Sequence, residues 1–330
     1  MEDYLIRYAT KEDIPAIKRF IDTCWKKNHI LVREDGLFEW QYTSDKLDYV
    51  LGIDRAGDIQ GMLGFVSYSN DTNRDIATSM WKANPGTGFL GVKLLMFILK
   101  NEKHRTLFSP GINVKSSGGI YKRMGIATGK MNQWYRINPK MDYKVAKITD
   151  KIVPTYSLKQ YKKLVHYNSF GELVNDFDHE KYVSRNLIPY KSMEYIKHRY
   201  FEHPVYSYLV LGIKDDNITK AVIILRIQYC NESKVIRFVD CIGDYSQIGY
   251  VTALLDELLR SEGAEYIDMY EKGLSTEMLI KAGWTNLEKT NNIIPNYFSP
   301  YEQCNVDIYY CTTDENIVLF RGDGDQDRPN

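Results

Sequence analysis

Apolar positions recur along this chain with two different periods. Ile14, Ile17, Ile21, Cys24 and Trp25 return at intervals that put them on one helix face. Thr10, three residues before Asp13, is a candidate cap for that helix, because an N-cap hydroxyl satisfies an otherwise orphaned N–H. Shorter apolar runs near 49–54, 61–69 and 77–84 read as strands. The continuous run GVKLLMFILK (91–100) reads as a buried helix, being apolar all round. A strand over 106–111, a helix over 116–124 and strands from 127 onward complete the first half. Antiparallel strands leading into strand–helix–strand–helix predict an α+β fold, a mixed and mostly antiparallel sheet flanked by helices.

The same order is then written a second time. WQYTSDKLDYVLGI (40–53) matches HRYFEHPVYSYLVLGI (198–213), pairing Tyr42 with Tyr200 and ending on the same Leu-Gly-Ile. Each copy continues with a polar turn, DRAGDIQ or KDDNITK, and a strand-like run, GMLGFVSY or AVIILRIQY. Each then has an apolar helix, GVKLLMFILK or GYVTALLDELLR, and a glycine-ended helix, KRMGI or IKAGW. Gly91 and Gly249 lie 158 positions apart, and so do Gly125 and Gly283. Order and spacing kept over four matches predict two tandem domains, 1–150 and 151–330, with the seam near YKVAKITDKIVPTYSLKQ.

Composition narrows the function classes. The chain has 330 residues, enough for two cores, with 44% hydrophobic and 26% charged residues. Lysine plus arginine and aspartate plus glutamate each number 43. That balance argues against nucleic acid as the main partner, since phosphate backbones are bound by an excess of basic residues. MEDYLIRYAT lacks the basic-then-apolar order of a secretion signal, and VKLLMFILK is shorter than the roughly 20 residues a bilayer needs. No membrane partner is expected, and the expected location is cytoplasmic. The five cysteines show neither CxxC pairs nor Cys/His ligand spacing, so neither a metal nor a disulfide framework is expected.

Candidate chemistry sits in the first copy. Ala83 and the turn NPGTGFLG connect a strand to the apolar helix, presenting Asn84, Gly86, Thr87, Gly88, Phe89, Leu90 and Gly91. Glycines let the backbone approach a ligand, and a helix N-terminus offers N–H groups and partial positive charge, which suits a pyrophosphate. The bland alternative is a glycine-rich turn with no ligand. Farther on, Tyr121 stands four residues before Gly125 in IYKRMGI, whereas LIKAGW in the second copy has Leu279 in the tyrosine's place.

Tyr121-Lys122-Arg123-Met124-Gly125-Ile126, following a strand, a glycine-rich turn and a helix, resembles the GNAT acyltransferases, which pass an acyl group from acyl-CoA to a primary amine. Asn113, eight residues before the tyrosine, lies near a position where that family often has asparagine. The turn departs from the family's Gln/Arg-x-x-Gly-x-Gly/Ala pattern: Gly86 and Phe89 stand at its first two marked positions, and only Gly91 matches the last. The resemblance covers nearly the whole chain. It implies acyl-CoA as co-substrate and direct attack of the acceptor amine on the thioester. It also implies a backbone N–H near the end of strand 77–84 on the carbonyl oxygen, and Tyr121 protonating or hydrogen-bonding the leaving thiolate.

The second copy is a poor CoA site, because GDYSQIG places Asp244 where pyrophosphate would approach and Leu279 has no proton to give. Its expected use is to build the acceptor site. Asp240 is the candidate base or acceptor-binding carboxylate, with a water relay as the alternative and a salt-bridged strand-end aspartate as the plain reading. His203 is its rival and otherwise a turn residue, while Trp81 is a candidate acceptor wall or a core residue. The tail RGDGDQDRPN lacks the glutamate of a calcium loop, and a solvated terminus is expected there. Tail and tandem layout together are similar to bacterial enzymes that N-acylate nucleotide-linked amino sugars for surface polysaccharides, of the dTDP-3-amino-3,6-dideoxyhexose type. The alternatives are transfer to another amine (peptide, polyamine or aminoglycoside) and a non-catalytic CoA or sugar-nucleotide binder.

Overall fold

The computed structural model describes residues 4–44, 46–160, 162–324 and 327. Strands from the first half of the sequence are β1 (Leu5–Tyr8), β2 (Tyr49–Ile53), β3 (Ile59–Ser67), β4 (Arg74–Ala83), β5 (His104–Pro110), β6 (Ala127–Lys130) and β7 (Asn132–Ile137). The second half supplies β8 (Lys163–His166), β9 (Leu209–Asp215), β10 (Ile218–Cys230), β11 (Ser233–Gly243) and β12 (Tyr266–Lys272). It ends with β13 (Thr285–Asn286), β14 (Tyr309–Thr312) and β15 (Leu319–Phe320). One sheet has the order β1-β2-β3-β4-β5-β14-β6 and the other β13-β7-β12-β11-β10-β9-β8, with β15 added to β12. Among the described residues no helix is long and apolar enough to cross a membrane.

Each half of the sequence lends one strand to the other half's sheet. β7 runs antiparallel to β12, pairing Tyr266 with Ile137 and Glu271 with Asn132, while β14 pairs Tyr310 with Pro110 and Cys311 with Ser109 of β5. The chain accordingly divides into a front unit, up to Thr128 together with Tyr310–Glu315, and a rear unit, Gly129–Tyr309 with the described residues from Asn316 onward. The single seam expected near 150 is thus replaced by three crossings, because the closing strand of each repeat is traded.

In the front unit, helix Leu90–Asn101 lies on β2 and β3. Leu90, Leu94, Leu95 and Ile98 are fully buried, contributing about 2 kcal/mol each by removal from water. Gly52 is required for this approach: a Cβ there would stand 2.6 Å from Leu90 Cδ1. The helix is not buried all round as its apolar run suggested, since Met96 is half exposed and Lys93 faces solvent. The first helix, Ile14–Phe20, buries Ile14, Ile17 and Phe20 and continues as a wider turn over Ile21–Trp25. Thr10 caps the short turn Lys11–Asp13 that leads into the helix, in a reciprocal capping box with Asp13. The Asp13 carboxylate accepts from the Thr10 N–H at 2.8 Å, and Arg7 forks onto the same carboxylate.

β4 and β5 run parallel only as far as Ala77 and Phe108; beyond that point the ladder between them ends and the two strands part. Just past it β4 carries one extra residue against β3, between Ser79 and Lys82, with Met80 at φ 52°. The rear unit repeats both features. β11 and β12 pair in parallel to Phe238 and Met269, and β11 has one extra residue opposite Ile224 and Leu225, between Phe238 and Asp240. The described residues of the tail are not solvated as expected. Asp323 and Asp327 are buried, and β15 lies against β12 at Glu271 and Lys272.

Candidate active site

Where β4 and β5 part, the front unit forms a notch. Its base is bridged by the Ser109 hydroxyl, which donates to the Thr78 carbonyl at 2.7 Å. Tyr121 comes up from helix Val114–Arg123, which exposes Gly119, half-buries Gly118 and buries Ser117 and Tyr121. The phenol is 1% exposed and lies beside the side chains of Thr78 on β4 and Cys311 on β14, the strand that pairs with β5. Burial, and then Cys311 beside it, holds the phenol well above the usual tyrosine value, while burial pushes the Cys311 thiol up to about 12. Both groups are therefore protonated at neutral pH and available as donors.

Trp81 ties this point to the glycine-rich turn. Its ring meets Tyr121 edge-on at 5.5 Å, and its indole N–H donates to the Gly91 carbonyl at 3.0 Å. It is thus a strut between the end of β4, the helix start and the phenol, which is closer to the core reading than to an acceptor wall. Ala83 closes the β4 ladder against Gly61, and Asn84 is fastened to Gln60 through its backbone N–H (2.9 Å) and its amide (3.0 Å). Thr87 folds back so that its hydroxyl donates to the Asn84 carbonyl at 2.7 Å. Gly86 and Gly88 take φ of 86° and 61°, which a side chain would strain, and this turns the loop into the helix. Phe89, 74% exposed, stands at the N-cap position, and no side chain caps the first turn that opens with Leu90. That first turn keeps the N–H groups that suit an anion.

Asn113 is committed otherwise: its Oδ1 caps the Tyr121 helix, accepting from the N–H of Lys115 (3.1 Å) and Ser116 (3.3 Å). On the outward face of that helix an open groove of about 510 Å³ runs past Gly118, Gly119 and Lys122 toward Glu315.

Asp240 does not serve as a base. It is fully buried, and Lys191 Nζ contacts its two oxygens at 2.6 and 2.7 Å. The Tyr200 hydroxyl and the Cys241 N–H also donate to it, at 2.5 and 2.8 Å. Burial pushes its pKa up and Lys191 pulls it back; Lys191, flanked also by Asp323 at 2.9 Å, stays charged despite its own burial. A carboxylate so enclosed has no route to an amine. His203 is a turn residue whose Nδ1 accepts from the N–H of Val205 (3.1 Å) and Tyr206 (3.0 Å). Burial and then Arg199 lower its pKa to about 3, leaving the ring neutral.

Local sequence signals missed two members of the site. Cys311 reaches the notch only because β14 is exchanged, and Thr78 matters because β4 parts from β5 beside it. The constant 158-residue offset was the usable clue for β14, since it asks where the second copy's closing strand goes.

This arrangement is the fold of GCN5-related N-acetyltransferases, built twice. The chain matches a GCN5-related N-acetyltransferase from Anabaena variabilis with a TM-score of 0.56 at 9% identity, over 94% of this chain and 72% of that one. It matches a probable N-acyltransferase from Enterococcus faecalis with a TM-score of 0.57 at 7% identity, over 96% and 73%. A third likeness is to Saccharomyces cerevisiae N-myristoyltransferase with bound myristoyl-CoA and inhibitors, at 0.50 and 9% identity, over 94% and 80%. No protein-family model and no curated protein matches the sequence.

Proposed function

We propose that the chain transfers an acyl group from acyl-CoA to the amine of a nucleotide-linked amino sugar, with the front unit holding acyl-CoA and the rear unit recognising the acceptor. The observation that carries acyl transfer is the Tyr121 phenol held between Thr78 and Cys311 at the floor of the notch, tied through Trp81 to the uncapped helix start. The N–H groups of Gly91 and its neighbours meet the pyrophosphate of the carrier. A backbone N–H at the β4 bulge near Met80 polarises the thioester oxygen, as oxyanion donors do.

Tyr121 then stabilises the departing thiolate. An ordinary thiol has a pKa of about 8.5, below that of this buried phenol, so full proton transfer would be uphill. The phenol acts by donating a hydrogen bond; solvent takes one proton from the attacking ammonium and a second from the adduct nitrogen, and returns one of them to the thiolate, so that CoA leaves as the thiol. The sugar half of the reading is supported by the resemblance of the tandem layout to the dTDP-amino-sugar enzymes. The balanced charge of the chain is a poor match for a polycationic aminoglycoside.

A thermal-shift panel crossing CoA thioesters, acetyl to myristoyl, with nucleotide sugars tests both halves, because ligands that bind the native state raise its stability. Shifts with both ligand types are expected. A CoA shift with none from any nucleotide sugar moves the acceptor to a peptide, polyamine or aminoglycoside. No CoA shift overturns the reading.

A further inference from the structure

Arg199 lies in the turn Lys197–Phe201 of the rear unit and is only 8% exposed. Arginine keeps its charge under all ordinary conditions, and a buried charge is costly unless it is paired. Among the described residues its guanidinium has no ion-pair or hydrogen-bond partner, and its Nε is buried without an acceptor. The nearby carboxylate that could compensate it, Asp327, is already committed. It takes Arg226 at 2.9 and 3.2 Å and the Tyr208 hydroxyl at 3.0 Å. Tyr200 and Tyr208, which flank the guanidinium, are held well above the usual tyrosine value by burial and are neutral, so they supply no charge. Beside this cation stands an aromatic pair: His203 and Tyr206 stack at 4.6 Å, with Arg226 4.4 Å over the Tyr206 ring.

We propose that Arg199 is the centre of a phosphate-binding site in the rear unit, and that its ligand is a nucleoside diphosphate whose base packs on the His203–Tyr206 pair. A planar guanidinium fork matches phosphate oxygens, and an aromatic face accepts a base. This deepens the acceptor half of the proposed function and rests on that reading for the ligand's role, though not for its chemistry.

The test is thermal shift and calorimetry with inorganic pyrophosphate, thymidine diphosphate and succinate, on the parent, Arg199→Met and Tyr206→Ala. Saturable binding of pyrophosphate and the nucleotide to the parent is expected. Arg199→Met loses both at least tenfold, while its unliganded melting temperature stays level or rises, because a buried charge with no direct ion-pair or hydrogen-bond partner has gone. Tyr206→Ala weakens the nucleotide about tenfold and leaves pyrophosphate unchanged; this variant decides the matter if Arg199→Met does not fold. Binding of succinate in preference to pyrophosphate, or of neither phosphate ligand, overturns the proposal. Acylation of an amino-sugar nucleotide that is unaffected by Arg199→Met sinks the site and spares the reading. Phosphate binding without any sugar acylation does the reverse.

Discussion

In the front unit the strands β4 and β5 part after Ala77 and Phe108, and the Tyr121 phenol reaches the floor of the gap. In the rear unit β11 and β12 part after Phe238 and Met269, but there β15 adds to β12 and the Gly322 N–H donates to the Val239 carbonyl at 2.7 Å. Phe320 stacks on Phe238 and completes the rear core, while Leu279 lies buried at the tyrosine's equivalent. The helix starts differ in the same way. The front turn has no side-chain cap. The rear turn is filled by the protein itself: Asp244 Oδ1 accepts from the Ser246 N–H at 3.0 Å, and Gln160 Oε1 accepts from the Ala253 N–H at 3.1 Å. Both copies keep the bulge and the parting strands, so the fold alone does not distinguish them. What differs is whether the chain's own residues already occupy the notch and the helix end.

The largest expected effect breaks the rear filling. Asp240→Ala leaves Lys191 buried beside Asp323 alone, and removing one partner of a buried pair costs about 3–5 kcal/mol. Urea unfolding should show a loss of that size, with CoA affinity of the surviving folded fraction unchanged. A stable Asp240→Ala protein that has lost only turnover would restore Asp240 as a base.

Next comes the front phenol. Tyr121→Phe should lower turnover about 100-fold, the lower range for a positioned proton donor, and shift the Kd for CoA less than about twofold. Stopped-flow detection of free thiol, alongside calorimetry with CoA, separates the two quantities. Equal turnover in the variant removes Tyr121 from the chemistry.

The sequence made the repeat, the α+β class and most element positions legible, because periodic apolar runs and glycine-ended helices are local signals. The place of Tyr121 near the end of a glycine-terminated helix was legible for the same reason, through its spacing to Gly125. The strand exchange was not, since β7 and β14 look like any closing strands and their partners are set by tertiary packing. Asp240 was misread because a strand-end aspartate in isolation does not announce Lys191, 49 residues earlier, or the returning tail at Asp323.

A buried carboxylate in the front unit offers a contrast to Asp240. Asp48 is 3% exposed and accepts from the hydroxyls of Ser44 (3.1 Å) and Ser67 (3.4 Å). The nearby cations Lys46 and Arg74 are bound to Glu102 instead. Burial raises Asp48 to about 7, against partial relief from Arg74. A carboxyl raised on folding favours the folded state at low pH, and that contribution is lost as pH rises from about 4 through 7. Asp48→Asn should therefore be more stable than the parent above pH 7, by about 2 kcal/mol once weakened hydroxyl contacts are deducted, with the advantage gone at pH 4. Melting curves across that range check the sign; a variant less stable than the parent at pH 8 contradicts it.

The smallest effect sharpens which filling would keep CoA from the rear copy. Residues 157–160 lie across the rear helix ends: the Ser157 N–H donates to the Lys281 carbonyl at 2.8 Å, and the Gln160 amide donates to the Gly249 carbonyl at 3.0 Å. Gln160→Ala frees the Ala253 N–H at a cost of about 1 kcal/mol, the usual worth of a helix cap. Ser157 and Leu158 remain tied to Lys281, and β15 still fills the notch, so calorimetry should find one CoA per chain, as in the parent. A second equivalent bound by Gln160→Ala would mean that the linker, and not β15, was the barrier, and that the rear helix end retains its own affinity for pyrophosphate.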